Sequence, residues 1–105
     1  MQERTGDDKI KVNVPSYAIQ LIPKFLKSRE KDIKEVEDSL KRKDFETIER
    51  VGHSMKGSGS MYGFDGISEL GKTIELSAKD KNIGEIMNSL SELKDYLSRI
   101  EIVNE

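Results

Sequence analysis

The 105 residues contain no cysteine and a single histidine. Without thiols the chain has no disulfide, no thiolate nucleophile and no iron–sulfur ligand. One histidine with no cysteine also falls short of a structural zinc site. It falls short of the paired Glu-x-x-His motifs of a di-iron helical bundle as well. No apolar run approaches the roughly 20 residues that a membrane-spanning helix needs. The segment from Met1 to Lys9 lacks the apolar centre of a signal peptide. Neither sign of charge dominates: 18 basic side chains face 20 acidic ones, for a net charge of −2. That is a solvated surface and not a nucleic-acid footprint. These absences lead us to expect a cytoplasmic monomer without a nucleic-acid or membrane partner, and with no metal or cofactor of its own.

What remains is helical periodicity. A chain of this length fits one domain with one core. The stripe Leu26, Ile33, Val36 and Leu40, with Ile22 just ahead of Pro23, predicts a first long helix ending near Lys41 to Lys43. Asp44 is a good N-cap for a second helix through Phe45, Ile48, Val51, Met55 and Tyr62, and Gly63 offers its stop. Asp65 can cap a third helix, with Ile67, Leu70, Ile74 and Ala78 as its stripe and Gly71 beside it for close approach. Asn82 with Glu85 resembles a capping box. It opens a fourth helix through Ile83, Ile86, Met87, Leu90, Leu93, Leu97 and Ile100. Four amphipathic helices with short connections predict an all-α, antiparallel up-and-down four-helix bundle over residues 14–105. Ahead of it, residues 1–13 read as a flexible N-terminal tail. Ile10 to Val14 alternates like a strand but has no obvious partner. We read it as an extended lead-in that lays Val12 and Val14 against the helices, with a short helical turn after Pro15.

The second helix has an unusual composition. Gly52, Gly57 and Gly59 lie inside it, and each interior glycine costs a helix about 1 kcal/mol relative to alanine. Gly52 and Gly59 lean toward the buried side, where they would allow close packing. Gly57 does not. At 100° per residue the Val51/Met55/Tyr62 stripe points one way and His53 nearly the opposite way. Lys56, Gly57 and Ser60 follow His53 at +3, +4 and +7, on its own polar face. The pattern predicts an exposed imidazole beside a lysine and a bare patch of backbone. Imidazole offers a neutral nucleophile near neutral pH without special activation.

The run His53-Ser54-Met55-Lys56-Gly57-Ser58-Gly59-Ser60-Met61-Tyr62-Gly63 resembles the signature of the histidine-containing phosphotransfer (HPt) domain. That signature is a histidine, Lys-Gly at +3 and +4, and a glycine ten residues after the histidine. The flanks match too: Asp44-Phe45 before the helix, and Phe64, Ile67, Leu70 and Glu75 after it. The resemblance covers about residues 14 to 102. It implies a phosphorelay intermediate, not a turnover enzyme, since no kinase ATP-binding region is present. The start at Met1 leans toward a free-standing shuttle. His53 would accept a phosphoryl group from an aspartyl phosphate on a response-regulator receiver domain and pass it to another receiver. A hybrid histidine kinase is a further implied partner.

In this reading Lys56 offsets charge on the phosphoryl oxygens, Gly57 clears space for the partner, and Mg²⁺ sits on the partner receiver domain. Ser60 and Glu49 border the docking face, and Lys72, with Lys79, meets an acidic receiver surface from the third helix. Glu75 either orients the imidazole across the helix pair or is a structural acid. The alternative is a helical adaptor that binds a receiver or kinase without carrying phosphate. It gives no reason for a nucleophile beside Lys56 and Gly57.

Overall fold

The computed structural model describes residues 9–104. Strand β1 (Ile10–Val14) leads through a 3-10 turn (Ser16–Leu21) into helix α1 (Ile22–Lys41). Helices α2 (Phe45–Met61), α3 (Asp65–Lys79) and α4 (Ile83–Arg99) follow, and strand β2 (Ile100–Asn104) ends the described chain. The four-helix bundle expected from the sequence is present. Cross-helix contacts fix its antiparallel course. Phe25 meets Tyr62 and Arg29 donates to Ser58 between α1 and α2. Glu49 pairs with Lys79 between α2 and α3, Ser77 with Glu85 between α3 and α4, and Lys94 with Glu37 to close α4 on α1. The core is one cluster running from Val12 and Val14 through Phe25, Ile33, Ile48, Met55, Phe64, Ile74 and Leu93.

The expected tail over residues 1–13 is corrected where it is described. Residues 1–8 lie outside the described part, but Ile10 to Asn13 belong to β1, which pairs in parallel with β2 from Ile10↔Ile100 to Val14↔Asn104. The partner strand that the sequence seemed to lack therefore lies ninety residues downstream. Ile100 correspondingly leaves α4: the helix ends at Arg99 and the chain turns extended. Pairing satisfies backbone groups that a lone strand would leave open. It also lets Val12 and Val14 reach the core, where both are buried.

Helix α1 buries Ile22, Ile33 and Val36 of the expected stripe, with Phe25 and Arg29 added to it. Leu26 and Leu40 are only half-buried. Arg29 fills an apolar slot because its guanidinium lies 4.7 Å from the centroid of the Phe25 ring and its Nη1 donates to Ser58 Oγ at 2.7 Å. Its Nε lies 2.7 Å from Asp32 Oδ2, an ion pair in which the N–H is not aimed at an oxygen. Burial raises the Asp32 carboxyl above its ordinary range against the pull of Arg29.

The three helix–helix turns repeat one geometry. The amide of Asp44 donates to Ser39 O, that of Phe64 to Gly59 O and that of Asn82 to Ser77 O, each five residues back. The residue before each takes positive φ: Lys43 at 55°, Gly63 at 83° and Lys81 at 55°. This is the Schellman closure, and the next residue caps the following helix. Asp44 does so by accepting from Thr47 N, and Asn82 by accepting from Glu85 N. The capping box at Asn82 is half-made, because the Glu85 carboxylate goes to Ser77 Oγ at 2.6 Å. The cap expected at Asp65 is displaced by one residue. Phe64 holds the cap position with its ring buried and stacked on Phe25, and Asp65 sits in the first turn, where its charge favours the helix dipole.

Only the middle turn has glycine at the left-handed position. Lys81→Gly is therefore expected to stabilise the domain by about 1 kcal/mol, by removing the Cβ strain of a left-handed lysine. Urea unfolding checks it, and an unchanged midpoint contradicts it.

Candidate functional site

Three glycines position the site. A Cβ on Gly52 would stand 2.7 Å from Glu75 N and 2.8 Å from Gly71 O. One on Gly71 would stand 2.6 Å from Lys56 N, and one on Gly59 2.7 Å from Ser68 N. Here α2 and α3 touch backbone to backbone, closer than any side chain would allow. Ser68 Oγ donates to Lys56 O at 2.9 Å across the seam. The close approach brings a carboxylate on α3 within reach of the α2 face that carries the histidine.

That carboxylate is Glu75. Its Oε2 lies 3.0 Å from His53 Nδ1 and its Oε1 lies 3.3 Å from Lys56 Nζ. Glu75 is buried at the seam, with its side chain 11% exposed, whereas the His53 side chain is 68% exposed. A carboxylate can only accept, so Nδ1 carries a proton, and in the neutral ring Nε2 keeps its lone pair. The imidazole is thus held at one edge with its nucleophilic nitrogen toward solvent. Burial by itself would raise the Glu75 carboxyl, but hydrogen bonds from His53 and Lys56, with the charge of both, outweigh it and hold the group below the ordinary carboxylate range.

A depressed folded-state value has a defined pH consequence. The stabilising contribution of Glu75 is complete above its unfolded range and is lost as pH falls through the lowered value. Glu75→Ala is expected to flatten the acid side of the stability profile below about pH 5. It is also expected to free the tautomer of His53, visible in the ring nitrogen shifts by NMR. An unshifted tautomer would assign Glu75 to structure alone.

The remaining expected residues fall as follows. Gly57 is exposed, and a Cβ there would meet nothing within 4 Å, so the space beside His53 is open. Ser60 is exposed two turns above His53. Glu49, one turn below, pairs with Lys79 Nζ at 3.8 Å and borders a shallow depression with Glu46, Arg50, His53 and Glu75. Lys72 is exposed on α3, one turn before Glu75. Lys56 is not a free cation: it leans on Glu75, 39% exposed. The one Glu75 carboxylate contacts both His53 and Lys56. Among the described residues no group of three or more His, Cys, Asp or Glu side chains could hold a metal ion.

A family model described as Hpt domain matches residues 20–102, and the chain belongs to that family. It is a histidine-containing phosphotransfer domain of the kind that serves in phosphorelays, and His53 lies within the matched span. No curated protein and no solved structure matches it. No described helix is long and apolar enough to cross a membrane.

Proposed function

We propose that this protein carries a phosphoryl group on His53 Nε2 between response-regulator receiver domains in the cytoplasm. The observation that carries the reading is the Glu75 carboxylate against Nδ1, which leaves Nε2 free and outward. In the forward step the Nε2 lone pair attacks phosphorus of an aspartyl phosphate. An N–P bond forms, the P–O bond to the aspartyl carboxyl breaks, and the aspartate leaves with the electron pair. The proton stays on Nδ1. The product ring is cationic, and the Glu75 carboxylate at 3.0 Å offsets that charge. A cationic ring is also a good leaving group, so the same arrangement serves the return step to a second aspartate.

The aspartyl phosphate is an activated donor, and positioning of an exposed nucleophile supplies much of what the transfer needs. Lys56, held by Glu75 one turn from His53, gives a positive charge within swing of the phosphoryl oxygens. Mg²⁺ belongs to the receiver. Gly57 leaves the partner room to bring its aspartate in line.

The test is to incubate the protein with receiver domains charged by acetyl phosphate and to map acid-labile label by residue. Label on His53 that chases to a second receiver is the expected result. A receiver that binds without label appearing on the chain would favour the adaptor reading.

A further inference from the structure

His53 stands between two cations. Arg50 precedes it by three residues and Lys56 follows it by three, so each lies one turn away along α2. Their partners place them on opposite flanks. Lys56 Nζ reaches Glu75 on α3, and Arg50 Nη2 reaches Glu35 Oε2 on α1 at 3.9 Å.

The imidazole is not symmetric between the two. Its Nδ1 edge is turned to Glu75, toward α3. Nε2 is the outer nitrogen of the ring, so it points to solvent and away from α3, to the flank on which Arg50 lies. Lys56 is tied to the carboxylate that holds the opposite edge.

Arg50 is also free to move. Its side chain is 69% exposed and touches Glu35 only at the long limit of an ion pair, a contact that holds it weakly. It lines one depression with His53, and the other walls are acidic: Glu46, Glu49 and Glu75. Glu75 is engaged by His53 and Lys56, and Glu49 by Lys79. A phosphoryl group would bring about two more negative charges to this place. Arg50 is the permanent cation among the lining side chains. A guanidinium presents paired N–H donors in one plane, which match two phosphoryl oxygens.

We propose that Arg50 leaves Glu35 and binds the phosphoryl group once that group stands on Nε2, and so sets how much phosphate His53 holds at equilibrium with a receiver. This rests on the phosphotransfer reading above and adds a phosphoryl-binding residue to it. The step is an exchange of ion pairs, in which Arg50 makes and breaks no covalent bond. The two cations then have separate positions. Lys56 is shared between Glu75 and the phosphoryl oxygens on the α3 side. Arg50 holds the same group from the α1 side, and Glu35 competes with it for the guanidinium.

The test uses Arg50→Gln, Arg50→Lys and Glu35→Gln, with circular dichroism to report the fold. Each chain is charged with phosphoramidate, so that no protein partner is present, and the phosphohistidine is titrated by phosphorus NMR. In Arg50→Gln the midpoint of the phosphoryl titration is expected to rise by about half a pH unit, because a nearby cation favours the dianion. With a receiver added, the equilibrium fraction of phosphate on His53 is expected to fall about fivefold. Arg50→Lys falls between the wild type and Arg50→Gln, since lysine keeps the charge and loses the planar fork. Glu35→Gln frees the guanidinium and moves both readouts the other way. A folded Arg50→Gln with the wild-type midpoint and equilibrium overturns the proposal. So does a change confined to the half-saturating receiver concentration, which would place Arg50 against the receiver and not against phosphate. A Glu35→Gln that shifts in the same direction as Arg50→Gln also overturns it, because the pair would then act through α1–α2 packing. If phosphoramidate labels His53 and no receiver does, the phosphotransfer reading falls, while the titration still decides the role of Arg50.

Discussion

His53→Gln is expected to abolish acid-labile labelling from charged receiver domains and from phosphoramidate alike, while the domain keeps its fold. The chemical half follows from the nucleophile. A glutamine amide nitrogen has its lone pair delocalised into the carbonyl, so it cannot attack phosphorus as Nε2 can. There is no second histidine and no cysteine to take over. The structural half follows from exposure. The His53 side chain is mostly in solvent and is held at one edge by Glu75. Glutamine can still donate its amide N–H to that carboxylate. An exposed substitution of this kind shifts stability by under about 0.5 kcal/mol. The measurement is rapid-quench labelling beside thermal unfolding by circular dichroism. Residual acid-labile label on the variant would move the acceptor elsewhere. A lost helical signal would show that the imidazole holds the bundle together.

The polar side of this site was legible from spacing, and the buried side was not. Helical periodicity was enough to place His53, Gly57 and Ser60 on an outward face, because a stripe as regular as Val51, Met55 and Tyr62 leaves little freedom for the residues opposite. The same regularity misled at the end of α4. Ile100 continues the period from Leu97, and only its pairing with Ile10 reveals a strand. Contacts across ninety residues leave no local mark. Arg29 is not legible as a buried residue of α1, because a charge in an apolar register reads as a break in the stripe. Its stacking on Phe25 and its bond to Ser58 depend on a helix pair that periodicity does not describe. The cap at the start of α3 moved by one residue for a related reason. Asp65 has the chemistry of a cap, but burial of Phe64 sets the register. Glu75 was visible as a possible partner of His53. Its grip on Lys56 was not, since that depends on how closely two backbones approach.

That approach can be tested through glycines of opposite consequence. Gly71→Ala is expected to destabilise the domain by about 3 kcal/mol, and Gly57→Ala to stabilise it by about 1 kcal/mol. Alanine is the better helix former at both positions, so propensity favours both changes equally. Space decides the sign. At Gly71 the added methyl would stand 2.6 Å from Lys56 N and 2.8 Å from Gly52 O, against backbone that cannot rotate away. Helices α2 and α3 must part, and the neighbouring Glu75 moves with α3. At Gly57 the methyl meets nothing within 4 Å. The functional readout separates the two roles further. Parting the helices lengthens the His53–Glu75 contact, so folded Gly71→Ala should lose the fixed Nδ1–H tautomer and transfer phosphate more slowly even under conditions where it is fully native. Gly57→Ala should keep the tautomer, because the added methyl lies outside the seam. Urea unfolding, ring nitrogen shifts and single-turnover transfer on both variants give the comparison. Equal stability changes of the same sign would mean that α2 and α3 are not packed backbone to backbone. A destabilised Gly71→Ala with an unaltered tautomer would mean that the seam supports the fold without setting the geometry of His53.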